Sequence, residues 1–163
     1  MVNFIALVFF IILVTVLYTV FYGAPFVVTD RKTVKRVVEL SGVEKGDKVV
    51  DLGSGDGRIV IAFAKLGVEA HGYEINPLLV LLSLIKLRAL NLKKARFYLS
   101  SFWKINLTEY DIVVVYGISY IMTKLEDKLE KELKKGTKVI THAYKLPTWK
   151  IQKSEKGVFF YVK

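Results

Sequence analysis

The stretch Val49-Val50-Asp51-Leu52-Gly53-Ser54-Gly55-Asp56-Gly57-Arg58 constrains this chain more than any other. It reads as a buried β-strand running into a glycine-rich turn and then into the first turn of a helix. Three glycines at alternate positions (Gly53, Gly55, Gly57) let the backbone pass close to a ligand, where side chains would collide with it. The dinucleotide-binding turn spaces its glycines as GxGxxG, whereas here the spacing is GxGxG. Asp51 precedes the first glycine and Asp56 separates the second from the third.

Around this turn the pattern alternates strand and helix. A first helix is expected over about 30–41, with Thr29 placed to cap it. A strand over 47–52 leads into the glycine turn and a helix to about Leu66; a second strand ends at Glu74. Asn76-Pro77 opens a helix to about Leu90, and strands follow at Ala95–Leu99 and Asp111–Tyr116. A charged amphipathic helix covers about 120–134, a fifth strand runs Lys138–Tyr144, and two final strands flank Lys156-Gly157. The alternation predicts an α/β fold, a Rossmann-like, doubly wound and mainly parallel sheet with an antiparallel C-terminal strand. The helix Leu78-Leu79-Val80-Leu81-Leu82-Ser83-Leu84-Ile85 is apolar on all sides, which predicts a buried helix.

No charged side chain occurs before Asp30, although the chain as a whole carries a formal charge of +10 and is 53% hydrophobic. Residues Phe4 to Phe21 form an apolar run broken only by Thr15, Tyr18 and Thr19, close to the roughly 20 residues a helix needs to cross a bilayer. Residues 1–23 are therefore expected to be one transmembrane anchor, with Gly23-Ala24-Pro25 as linker and residues 24–163 as the single folded domain that carries the glycine turn. Arg31, Lys32, Lys35 and Arg36 follow the run, so the positive-inside rule predicts a single-pass membrane protein with its domain in the cytoplasm. A cleaved signal peptide fits less well, since no basic residue precedes the run. The absence of cysteine excludes disulfides and thiolate chemistry, and two histidines (His71, His142) make no case for a metal.

In an open α/β sheet the ligand sits beyond the C-terminal strand ends, near the first strand. Carboxylates crowding the turn would repel a pyrophosphate and suit a ligand with a cationic amino-acid end, which points to S-adenosylmethionine (SAM). The expected cofactor residues are Asp51, Gly53, Ser54, Gly55 and Asp56 on the turn, with Glu74 accepting from the ribose hydroxyls about twenty residues on. Ser101 and Phe102 follow the third strand, at the adenine, while Phe26 and Thr29 precede the first helix and close over the ligand. The methyl acceptor is expected at the ends of the fourth and fifth strands, where the candidates are Tyr116, Gly117, His142, Tyr144 and Trp149. An amine acceptor attacks only when neutral, and aromatic walls and low dielectric favour that form. The fourth strand ends Val115-Tyr116-Gly117-Ile118, without the Asn/Asp-Pro-Pro-aromatic turn of many nucleobase methyltransferases, which argues against a nucleic-acid substrate.

Asp51-Leu52-Gly53-Ser54-Gly55-Asp56-Gly57-Arg58-Ile59-Val60, Gly72-Tyr73-Glu74-Ile75-Asn76-Pro77, Leu125-Glu126-Asp127-Lys128-Leu129 and Leu146-Pro147-Thr148-Trp149 occur in one order. Together they resemble the seven-β-strand protein-lysine methyltransferases, which include small archaeal enzymes and mitochondrial enzymes acting on the adenine nucleotide translocase and the ATP synthase c-subunit. The resemblance implies methyl transfer from SAM to lysine ε-amines of proteins. It implies that Asp51, Gly53 and Gly55 hold the methionine part, that Glu74 holds the ribose, and that Pro25-Phe26-Val27 lies over the cofactor. Two other readings stay open on the residues alone: methylation of a membrane-borne small molecule, and a SAM-binding module without catalysis.

Overall fold

A computed structural model describes residues 29–163 and, ahead of them, Ala6, Leu7, Phe9 and Phe10. Helix α1 (Arg31–Ser41) leads into β1 (Lys48–Leu52), α2 (Arg58–Lys65), β2 (Glu69–Glu74), α3 (Pro77–Ala89) and β3 (Ala95–Leu99). Then come β4 (Ile112–Tyr116), α4 (Met122–Glu132), β5 (Lys138–His142), β6 (Lys153–Glu155) and β7 (Val158–Val162). The seven strands form one sheet in the order β3-β2-β1-β4-β5-β7-β6. The first five are parallel, and β7 pairs antiparallel with both β5 and β6. The strand order reverses at β1, between β2 and β4, so the glycine turn leaves the sheet at the switch point.

Period-2 alternation along the central strands divides the core between two faces. Val49, Ile112, Val114 and Ile140 pack with α1 and α2 through Val37, Val60 and Phe63. Val50, Val113, Val115 and Val139 pack on the other face with Leu125 and Leu129 of α4 and with Tyr161. Gly57 makes the close approach of α2 possible: a Cβ there would lie 2.5 Å from the Phe97 ring and 2.8 Å from Ser83 Oγ.

Three boundaries differ from the sequence reading. Asp30, not Thr29, caps α1, accepting from the Lys32 and Thr33 amides at 2.8 and 3.1 Å, because its side chain reaches back over the first turn. A 3₁₀ turn (Ser119–Ile121) precedes α4. Strand β5 stops at His142, because Ala143 turns to φ 72°.

Two larger expectations are corrected. Helix α3 is not buried: Val80 and Ser83 face inward, while Leu78, Leu81, Leu82, Leu84 and Ile85 are exposed. It flanks the β3 edge, where the sheet covers only one side of it. Nor does the expected single-pass membrane protein with a cytoplasmic domain stand, since among the described residues no helix is long and apolar enough to cross a membrane. At 13 residues, α3 is roughly 20 Å long, against about 30 Å of hydrocarbon. The 1–23 segment that prompted this expectation lies, apart from Ala6, Leu7, Phe9 and Phe10, outside the described residues.

The chain between β5 and β6 is tied to α4 by one carboxylate. Glu126 accepts from the Thr148 amide (2.9 Å), the Thr148 hydroxyl (2.7 Å) and the Trp149 amide (3.4 Å). Glu126→Ala is expected to destabilise the fold by about 1–3 kcal/mol in urea denaturation, as these donors lose a charged acceptor. The variant should keep its ligand affinity in calorimetry, because Glu126 bonds Thr148 and Trp149 and no residue of the glycine turn.

Candidate active site

The turn after β1 treats its two carboxylates in opposite ways. Asp51, at 3% exposure, has no hydrogen-bond donor among the described residues, and burial with the nearby charges of Glu74 and Asp56 pushes its carboxyl up to about 8. Asp56 is held at about 2, chiefly by hydrogen bonds from Arg58, with Lys86 adding to them. Arg58 grips it through Nε and Nη2, both at 2.7 Å, and Lys86 Nζ of α3 donates at 2.6 Å. Arg58 Nη1 also donates to the Thr29 carbonyl, so one guanidinium joins the turn to the entry of α1. Asp56 thus holds the turn and helices together, and Asp51 is the carboxyl left for a cationic ligand.

Glu74, buried at the end of β2, accepts from Gly55 N (3.0 Å) through Oε2 and from the Ile75 and Asn76 amides (both 2.8 Å) through Oε1. Three of its roughly four lone-pair directions are used, which leaves acceptor capacity beside the glycine turn. The amides of Gly53 and Ser54 both donate to the Tyr73 carbonyl, and the Ser54 side chain packs down on Gly72. In front of Gly53 the space is open: a Cβ there would meet nothing within 4 Å. The residues therefore fit a nucleoside with a cationic tail, with bare backbone, an uncompensated carboxyl and a partly satisfied one converging at the end of β1.

Beyond β3, the Ser100 amide donates to the Glu74 carbonyl at 3.0 Å, which brings the following loop to this site. Ser101 caps the 3₁₀ turn Phe102–Lys104 through the Trp103 amide, and Phe102 packs against Trp103 with ring centroids 4.6 Å apart. Thr29 is buried, and Phe26 lies outside the described residues.

On the acceptor side, Tyr116 and His142 are register partners at the ends of β4 and β5, with rings edge-to-face at 4.7 Å. His142 Nδ1 is buried without a hydrogen-bond partner among the described residues. Burial holds this imidazole below its ordinary pKa; Asp30 opposes the effect and Arg36 adds to it. The ring is therefore held neutral, with one of its two nitrogens buried and unpartnered. Tyr144 stands at the rim, over Gly117. Trp149 is elsewhere: its ring meets Tyr161 edge-to-face at 6.4 Å under the Lys163 ammonium. Tyr161 pairs with Val139 near the start of β5, so Trp149 sits toward the opposite end of the strands. The other histidine, His71, shares a 2.9 Å hydrogen bond with Tyr110. Sequence reasoning missed Lys86, whose partner Asp56 lies thirty residues away with no local signal; it singled out the segments holding Glu126 and Thr148-Trp149 but not the bonds that join them.

This geometry defines a class: a Rossmann-like fold of the methyltransferase type, with the glycine turn at the β1 switch point. The family described as the ANTKMT methyltransferase domain matches residues 51–153, and the chain belongs to it. The chain is 45% identical over 126 residues to the ATP synthase c-subunit lysine N-methyltransferase of Mus musculus, covering 77% of this chain and 51% of that protein. It is 35% identical over 128 residues to a protein-lysine N-methyltransferase of Saccharolobus islandicus, covering 77% of this chain and 80% of the other. It thus spans about half the length of the animal relative and most of the archaeal one. The crystal structure of an RNA methyltransferase from Salinibacter ruber with S-adenosyl-L-homocysteine is similar with a TM-score of 0.80 and 29% identity, covering 83% of this chain and 93% of that one.

Because folded Asp51 holds its proton up to about 8, the fold loses stability as pH rises from the ordinary carboxylate range through 8. Across that window the unfolded chain has released this proton and the folded chain has not. Asp51→Asn is therefore expected to flatten the fall in melting temperature between pH 5 and 8.5. It should also weaken SAM binding at least tenfold in calorimetry; a pH dependence equal to the wild type's would refute the assignment.

Proposed function

We propose that this chain is a SAM-dependent methyltransferase acting on lysine ε-amines of proteins, with its catalytic domain spanning residues 24–163. The observation that carries the reading is a juxtaposition at one end of the sheet. Buried Asp51, without a donor among the described residues, lies near the end of β1 beside Glu74 at the end of β2, and the neutral His142 with Tyr116 lies at the ends of β4 and β5. The first pair suits a nucleoside with a cationic tail; the second suits an amine that must lose a proton before it reacts. The names of the animal and archaeal relatives, both lysine N-methyltransferases, support the acceptor class.

When bound, SAM supplies an electrophilic methyl group on sulfonium sulfur. Asp51 would hold its ammonium end by charge, Glu74 would accept from its ribose hydroxyls, and Ser101 with Phe102 would border its adenine. On the other side the Tyr116 and Tyr144 rings wall the acceptor and keep water from its amine. The neutral His142 imidazole takes the proton that the lysine must give up before it attacks. The protein's work is positioning and dehydration, since the displacement at carbon needs no covalent enzyme intermediate.

A second reading is favoured by one finding: the Salinibacter ruber structure is described as an RNA methyltransferase, and a chain of net charge +10 suits a polyanion. Labelled SAM and a native cell extract separate the two. The expected result is protease-sensitive, RNase-resistant label that mass spectrometry resolves as methyllysine. Label confined to RNase-sensitive material would replace the lysine reading with the RNA one. Label extractable into organic solvent would mark a small lipid-like acceptor, and binding without transfer a non-catalytic module.

His142→Gln is expected to lower the transfer rate at pH 7 by about 10²-fold. The deficit should shrink at pH 9, where more of the acceptor lysine is already neutral. A pH-independent deficit would remove His142 from the role of base.

A further inference from the structure

The end of β5 holds a non-glycine residue in a conformation that L-residues avoid. Ala143, between His142 and Tyr144, has φ 72°, in the left-handed region where its Cβ crowds its own backbone. Such conformations persist only where the surroundings over-determine them. Here three hydrogen bonds do so. The Gly117 amide donates to the His142 carbonyl at 2.8 Å, and the Ala143 amide donates to the Gly157 carbonyl at 2.9 Å. The Thr141 hydroxyl donates to the Tyr144 carbonyl at 2.7 Å. Thr141 is fully buried, so its hydroxyl cannot exchange this partner for solvent.

The reversal carries Tyr144 back over the end of β4. Its Cβ lies 3.1 Å from where a Cβ on Gly117 would sit, and the Met122 sulfur lies 2.8 Å from the same point. Only a glycine lets Tyr144 and the start of α4 come this close. Tyr144 itself remains 44% exposed, an aromatic side chain at the rim and not a core residue. The neighbouring Tyr116–His142 pair occupies the same end of the sheet. An extended continuation of β5 would carry residue 144 along the strand and away from this rim.

We propose that this turn is a strained positioning device. Thr141 and left-handed Ala143 fix Tyr144 over Gly117 at the entrance used by the methyl acceptor, and Thr141 is a positioning residue for transfer. The proposal rests on the reading of this end of the sheet as the acceptor site. It states which residues set the aromatic rim, and it assigns the strain to acceptor handling and not to cofactor binding.

Two substitutions separate this role from simple structural support. Ala143→Gly removes the strain, so its melting temperature should equal or exceed the wild type's. Yet its rate of label transfer from saturating SAM to extract protein should fall about 5- to 20-fold, because the turn is no longer confined. Thr141→Val should lose transfer similarly, and Thr141→Ser should restore it to within about twofold. Calorimetric affinity for S-adenosylhomocysteine should stay within about twofold of the wild type's in all three. Amide exchange at residues 143–145 should accelerate in Ala143→Gly and in Thr141→Val. Stable Ala143→Gly or Thr141→Val protein transferring at the wild-type rate, or failure of Thr141→Ser to restore transfer, would overturn the proposal. If the wild type labels RNA instead, the lysine reading fails, and the same rate comparison on RNA decides this proposal. If the wild type transfers to nothing, unchanged amide exchange overturns it.

Discussion

The rest of the structure depends on how a strongly basic chain disposes of negative charge in a single turn. Asp56 and Asp51 lie five residues apart, and the fold gives one of them two cations and the other none. The satisfied carboxylate gathers α2, α3 and the entry to α1 through Arg58 and Lys86. That arrangement keeps the glycine turn stiff while its outer face stays bare. The unsatisfied carboxyl is costly to ionise where it is, and a positive ligand would lower that cost. A satisfied Asp51 would give a more stable turn with less reason to bind anything.

The acceptor side follows another logic. The nearby charges on His142 oppose each other, Asp30 raising its pKa and Arg36 lowering it, and burial settles the balance toward the neutral ring. Helix α1 and its cap supply both charges, and Arg36 is itself held by Glu155 at 2.8 Å on β6. A helix that follows the segment expected over the cofactor thus also sets the charge around the candidate base.

Much of this was legible in the sequence because it is written in local pattern. The Val49–Arg58 run announces strand, turn and helix within ten residues, and Glu74 stands at the end of a strand one βαβ step later. The antiparallel edge follows from two strands around Lys156-Gly157 with no helix between them. What was not legible depends on distant partners. Asp56 looked like a ligand residue because Lys86, thirty residues on, gives no sign in sequence that it will arrive. Trp149 looked like an acceptor wall because it follows β5, yet Glu126 draws its backbone toward α4 and Tyr161 takes its ring. Helix α3 looked buried because composition reports what a helix is made of, not how many layers cover it.

The placement of β1 also bears on how the molecule assembles. Val49 pairs with Ala70 on one side and with Ile112 on the other, the second contact spanning more than sixty residues of chain. The first three strands and their helices can associate through near-neighbour contacts. The switch-point crevice, however, has only one wall until β4 closes a long loop against β1. During synthesis the glycine turn therefore emerges well before the strand that finishes its pocket. The crevice gains its second wall only once the chain through β4 (Ile112–Tyr116) has been made.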